Sequence, residues 1–216
     1  MVARFSLIIL VVLSVTSLAK TNYPLEDNQI WGSLQIEYGL NEKLDLELSE
    51  ELRINENVSE LSDLLTDIGA IYKFSDLFRA GIFYRFRLMP QDEEVQHEMY
   101  LNLYMNFKIN NLKASNRIRI HEKYRLEKKP IHLLRYQFGL SYPILNQLDI
   151  FVSSELFYRY FYDEGDRLSQ GRYKAGLEYS ISKSLGIEVY YMREIEYNNE
   201  KAINSDILGL DLKIDL

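Results

Sequence analysis

Cysteine is absent from all 216 residues, which removes disulfides and excludes a lipid anchor on an N-terminal cysteine. Histidine is scarce: His97, His121 and His132 are dispersed, and without cysteine they form no recognisable transition-metal set. No cofactor is implied. Past residue 19 no apolar run approaches the ~20 residues of a membrane-spanning helix. Basic residues are in the minority, 25 against 32 acidic ones, which argues against a nucleic-acid partner. Proline is down to four and no linker-like stretch interrupts the chain, so one domain is expected.

The first residues are a unit of their own. Arg4 supplies a positive start, Phe5–Val15 an apolar run too short to span a bilayer, and Ser17-Leu18-Ala19 a small-x-small site before Lys20. Residues 1–19 are therefore expected to be a signal peptide cut near Ala19, with 20–216 as the exported domain. The cut removes Arg4, leaving 24 basic residues against 32 acidic ones and a formal charge of −8.

What the chain does have is alternation. From Phe78 every second residue is apolar (Phe78, Ala80, Ile82, Tyr84, Phe86, Leu88), and Arg79, Gly81, Phe83, Arg85 and Arg87 lie between. Period two means a β-strand with one face for oil and one for water or counter-charge. The arm before it alternates too, and Ser75-Asp76 makes the pair a hairpin. The same design recurs near 30–38, 43–54, 64–74, 96–107, 112–126, 132–142, 147–161, 170–181, 185–196 and 204–216. Tyrosine-rich, charge-rich strands without long apolar runs are what a transmembrane β-barrel requires. The expected fold is all-β, a single antiparallel up-and-down barrel of ten to twelve strands in the outer membrane of a double-membraned bacterium.

Short connections follow Tyr38, Phe74, Phe107, Tyr142 and Ile181, whereas polar stretches near 55–63, 89–95, 127–131, 162–169 and 197–203 are longer. Short periplasmic turns and longer outer loops set the orientation. Aromatics at both strand ends, such as Phe74 and Phe78 at one and Tyr124 and Tyr158 at the other, fit two interfacial girdles. Eleven segments is an odd number, and single-chain bacterial barrels are even, so ten or twelve strands is the expectation. Lipid, lipopolysaccharide and the barrel-assembly machinery are the partners this fold implies, and oligomeric state is left open.

Trp31, the segment LDLELSEELRI at 44–54, Tyr84-Arg85 within 68–88, and the closing DILGLDLKIDL at 206–216 together resemble the uncharacterised outer-membrane barrel family numbered 2490 among the domains of unknown function. The resemblance implies a barrel without established activity and assigns no catalytic residue. The final strand is also similar to the signal read by barrel-assembly machinery, although that signal usually ends in phenylalanine and here ends in Leu216.

On the non-lipid face the alternation places Glu47, Glu51, Arg53, Arg79, Arg85, Arg87, Arg117, Arg119, Glu155 and Glu178, with Asp67, Glu98, Lys123, Arg125, Arg135, Arg159, Lys174 and Glu188 beside them. In a narrow barrel these would meet across the lumen. A closed salt-bridge network is the first expectation, because unpaired buried charge is expensive, and a polar pore or ligand pocket is the second. Gly69, Gly81, Gly139, Gly176 and Gly209 fall on the same face, as corners or as seats for large neighbours. Catalysis would have to run through His121, oriented by Glu98 or Glu155, with Ser115 or Ser153 as nucleophile. The function expected is that of an outer-membrane barrel, structural or permeation-related, with its lumen largely filled by charged side chains. The alternatives are a lipid-modifying outer-membrane enzyme and a soluble, lipocalin-like periplasmic barrel with its apolar face turned inward.

Overall fold

In the computed structural model, residues 25–198 and 202–216 are described; the expected signal peptide and its cleavage site lie outside them. Alternation becomes strand throughout: β1 (Leu25–Gly39), β2 (Leu44–Asn55), β3 (Glu60–Lys73), β4 (Phe78–Met89), β5 (Glu94–Ile109), β6 (Leu112–Arg125), β7 (Ile131–Leu145), β8 (Leu148–Tyr160), β9 (Arg167–Ser180), β10 (Leu185–Glu196) and β11 (Ile203–Asp215). Each strand pairs with the next, and β1 closes on β11.

Among the described residues the count is eleven, which corrects the expectation of ten or twelve. Consecutive strands are antiparallel, so an odd number leaves the first and last running the same way, and β1 pairs with β11 in parallel. The seam holds because the two strands alternate in phase: Trp31 lies opposite Gly209, Ser33 opposite Asp211, and Gln35 opposite Lys213. Ser33 Oγ donates to Asp211 Oδ1 at 2.7 Å across it, and Gln29 Nε2 donates to Ser205 Oγ at 3.0 Å. Backbone bonds from Gly39 N to the Leu216 carbonyl and from Leu216 N to the Glu37 carbonyl finish the ring.

The two faces separate as the period demands. Ile68 and Leu208 stand 58% and 61% exposed on the outside, with Tyr84, Leu101 and Leu177 also outward, while Arg85 and Lys174 point in. An inverted, lipocalin-like barrel is thereby excluded. A few polar groups break the outer band. Glu50 sits among outward leucines and accepts a hydrogen bond from Thr66 at 2.9 Å, and Arg193 is clamped between Glu26 and Asp206 at 2.6 Å each.

The strands reach further than alternation indicated, and the loops are correspondingly shorter. Connections 40–43, 74–77, 110–111, 146–147 and 181–184 share one rim; 56–59, 90–93, 126–130 and 161–166 share the other, where the longest of these lie and where β10 ends and β11 begins. Left-handed residues fall in the connections, at Asn110 and Phe161 for example.

Two inward glycines are seats for rings. A Cβ on Gly69 would come within 2.1 Å of the Phe83 ring, and one on Gly209 within 2.0 Å of the Tyr190 ring. Each aromatic lies flat over the glycine of the neighbouring strand, which covers bare backbone and pins the register. Phe83 also stacks on Tyr100, centroids 4.9 Å apart and planes 10° apart. Gly69→Ala should therefore overpack this stack and cost about 1–3 kcal/mol. Urea titration of the folded, heat-modifiable form measures it. Adding Phe83→Leu should recover most of the loss, and an unchanged midpoint in Gly69→Ala would refute the seat.

Candidate functional site

Because β-strands alternate, the enclosed face of the barrel collects one residue in two from every strand. All ten lumen charges expected from the sequence are on that face, distributed in two unlike halves. Towards the rim with the longest connections the interior is packed shut. Leu65, Met89, Leu133, Phe157 and Ile207 are buried there alongside Gln96, Glu98 and His121. The lumen is thus filled by apolar side chains as well as by charges, which the sequence reading did not anticipate. The plug consists of side chains of the strands themselves.

Glu98 is the hub of this half. His121 Nε2 lies 2.7 Å from one carboxylate oxygen, Gln96 Nε2 donates to the other, and Arg85 and Lys123 each approach to 4.0 Å. A carboxylate only accepts, so His121 Nε2 carries the hydrogen, and its Nδ1 faces Arg135 Nη1 at 3.5 Å. Both ring nitrogens are engaged, and neither faces a hydroxyl. Ser115 lies six residues along the same strand, roughly 20 Å away at ~3.3 Å per residue. Ser153 is beside it in the ladder, two strands over through Gly139. Of the residues considered for catalysis, Glu98 and His121 come together, and Ser115 and Ser153 flank Gly139 far from them.

The middle of the barrel holds bidentate and shared ion pairs. Arg85 grips Asp67 through Nε and Nη2, both at 2.6 Å. Arg135 grips Glu155 at 3.1 and 2.8 Å, and Arg117 Nη2 reaches the same carboxylate at 2.8 Å. Arg53 pairs with Glu51, and Arg172 with Glu194, each at 2.6 Å. Arg87 pairs with Asp63 at 2.5 Å, and Lys174 sits between Glu188 and Asp211. Aromatic faces take part too: Arg53 lies 3.8 Å over Trp31, and Arg119 3.9 Å over Tyr100. Glu194 and Asp211 were not singled out from the sequence, although the same alternation would have placed them inside.

Towards the short-turn rim the interior opens. Ser115, Gly139, Ser141 and Ser153 line a cavity of about 720 Å³. It shares Gln137, Ser153 and Lys174 with a cavity of about 230 Å³ at mid-barrel, which in turn shares Arg117 and Arg119 with another of about 360 Å³. Glu47 and Arg79 line this last cavity, and Glu178 lines the first. Arg79 makes a ring contact with Tyr104, while Glu47 and Glu178 have no ion pair among the described residues. At the opposite rim, outside the strands, burial first and the Tyr173 hydroxyl second raise the Tyr197 phenol above its ordinary range.

Glu155 is shared by two guanidinium groups, so its removal should be among the costliest single changes in the lumen. Glu155→Leu should destabilise the barrel by about 3–5 kcal/mol, as expected when one partner of a buried pair is lost. The double variant Glu155→Leu/Arg135→Met should be less destabilised than Glu155→Leu alone in the same urea titration. A double variant no better than the single one would show that the pair is not the source of the loss.

The sequence profile described as "Protein of unknown function (DUF2490)" matches residues 28–204. No curated protein matches the chain at a significant level. Among solved structures, the chain is similar to a bacterial polysaccharide outer membrane secretin, at 10% identity and a TM-score of 0.56, covering 80% of this chain and 64% of that one. It is also similar to the NanC porin, at 13% identity and a TM-score of 0.56, covering 87% of this chain and 99% of that one. At such identities the likeness is one of fold.

Proposed function

Because the chain belongs to the DUF2490 family, whose function is itself unknown, no activity passes to it from relatives, and we propose from its geometry that it is a solute-permeation barrel of the outer membrane held in a closed state. The outward band of apolar side chains with aromatics at both rims supports the membrane location. Short turns would face the periplasm and the longer connections the exterior, where lipopolysaccharide would surround them. A likeness of fold to the NanC porin, across nearly the whole of both chains, is consistent with this.

The observation that carries the proposal is the asymmetry of the lumen. Connected cavities run from the short-turn rim to mid-barrel, where their lining becomes predominantly charged, and stop at side chains. A purely structural barrel has no need of roughly 720 Å³ of unfilled interior open at one end. Rotamer changes in the plug would join that space to the exterior without moving the sheet. Phe157 is the member to test, because its ring lies beneath both Arg135 and Arg172, at 4.3 and 4.9 Å.

In planar bilayers the wild-type protein should give rare or small conductance steps, and Phe157→Ala should raise them several-fold. Electrical silence in both proteins, each shown to be folded by heat-modifiable migration of the membrane fraction, would overturn permeation and favour a structural role. Recovery of the protein in the soluble periplasmic extract would overturn the location as well.

A further inference from the structure

Arg119 and Arg135 occupy directly opposed positions on β6 and β7, each only 6% exposed. Like charges face to face across a ladder are destabilising, and burial makes the repulsion worse. Arg117, two residues along from Arg119, points into the same space. These three guanidinium groups have one carboxylate, Glu155, among them. Arg135 and Arg117 use it. Arg119 has no carboxylate partner: its Nε donates to Asn102 Oδ1 at 2.7 Å, and its plane rests on Tyr100. The Nε of Arg117 is buried with no hydrogen-bond partner at all.

Of the other nearby carboxylates, Glu47 lines the larger cavity without an ion pair among the described residues and is offset there by Arg79, which has none either, and the rest are committed elsewhere. Glu51 is held by Arg53, Asp67 by Arg85, and Asp211 by Ser33 and Lys174. The three guanidinium groups and Glu155 therefore carry two positive charges in excess. Arg117 and Arg119 both line the cavities of about 230 and 360 Å³, the larger equal to roughly a dozen water volumes at ~30 Å³ each. That space accepts an inorganic oxyanion or a small sugar acid.

We propose that this cavity is a binding site for a small solute bearing a carboxylate or phosphate group, with Arg117 and Arg119 as its recognition pair. The inference rests on the permeation reading for its biological sense, but the site itself can be tested without any conductance. Guanidinium groups present parallel N–H donors that match the two oxygens of such a group, and enclosure strengthens each bond. Neutral sugars of the same size offer hydroxyls but nothing that compensates the excess charge. The anion supplies the counter-charge that the chain does not.

Trp31, the single tryptophan of the chain, lines the smaller of these cavities and serves as the reporter. The full-length mature protein in detergent is titrated with glucuronate, with inorganic phosphate, and with glucose as the neutral match to glucuronate. Trp31 fluorescence should respond saturably to at least one anion and not to glucose. Arg119→Gln should weaken the response at least tenfold. Without anion, the same variant should unfold at a temperature no lower than wild type, because it relieves repulsion and strands no carboxylate. A merely structural Arg119 predicts the opposite, a lower unfolding temperature. Equal responses to glucuronate and glucose, or no response to either anion by fluorescence and by calorimetry, would overturn the site. Bilayer conductance without anion binding would leave the permeation reading standing and remove only this site; binding in an electrically silent protein would do the reverse.

Discussion

Enclosed charge is the constraint on which this barrel depends. A closed sheet whose outward residues are apolar must send its charged residues inward, and in this chain arginines and carboxylates from most strands meet there. Each guanidinium then needs a carboxylate, a carbonyl or an aromatic face within reach, because a charge left bare inside costs more than most single contacts return. The interior answers with bidentate grips such as Arg85 on Asp67 and with shared ones such as Glu155 between Arg117 and Arg135. Many of these pairs join neighbouring strands, so neutralising the lumen and fixing the register are the same act.

Closure with an odd number of strands follows from the same requirement. A seam between β1 and β11 is tolerable only if it leaves neither backbone groups nor inward side chains unpaired. The parallel ladder supplies the backbone bonds from Leu25 to Glu37, while Ser33 with Asp211 and Gln29 with Ser205 join the enclosed face. On the outside, Arg193 reaches from β10 across to Glu26 of β1. The seam is held on both of its surfaces.

Much of the fold was legible because a strand carries its two environments in a period of two. The hairpin at 68–88 declared its inward arginines and outward aromatics before any coordinates, and every lumen charge named from the alternation lies inside. What alternation does not carry is which strand follows around the ring, or how far each slides against its neighbour. Parity was therefore drawn from the habit of bacterial barrels, and that habit failed here. Gly69 and Gly209 stood out as inward glycines, but the rings that use them, Phe83 and Tyr190, are on other strands and are identified only by register. The same applies to the site. Arg117, Arg119 and Arg135 were each visible as inward cations, yet their crowding around one carboxylate depends on how β6, β7 and β8 align.

The two halves of the lumen differ in residue size rather than in polarity alone. Inward positions of the packed half carry Leu65, Met89, Leu133, Phe157 and Ile207, and the ion pairs there are wedged between them. Inward positions of the open half on β6 to β8 include Ser115, Gly139, Ser141 and Ser153, so space remains beside the lysine–carboxylate pairs at that end, Lys113 with Asp149 and Lys174 with Glu188. Such an arrangement resists water from one side and admits it from the other. A charged group at mid-barrel is then reached from the short-turn end, through a polar vestibule, and meets Arg117 and Arg119 before it meets the plug. The excess positive charge lies at the inner end of that path, where Arg135 and Arg172 line the cavity and pack against Phe157. Occupation of the cavity and the packing of the plug above it therefore act on the same two guanidinium groups, since Arg135 belongs to both and Arg172 lines the one while stacking on the other.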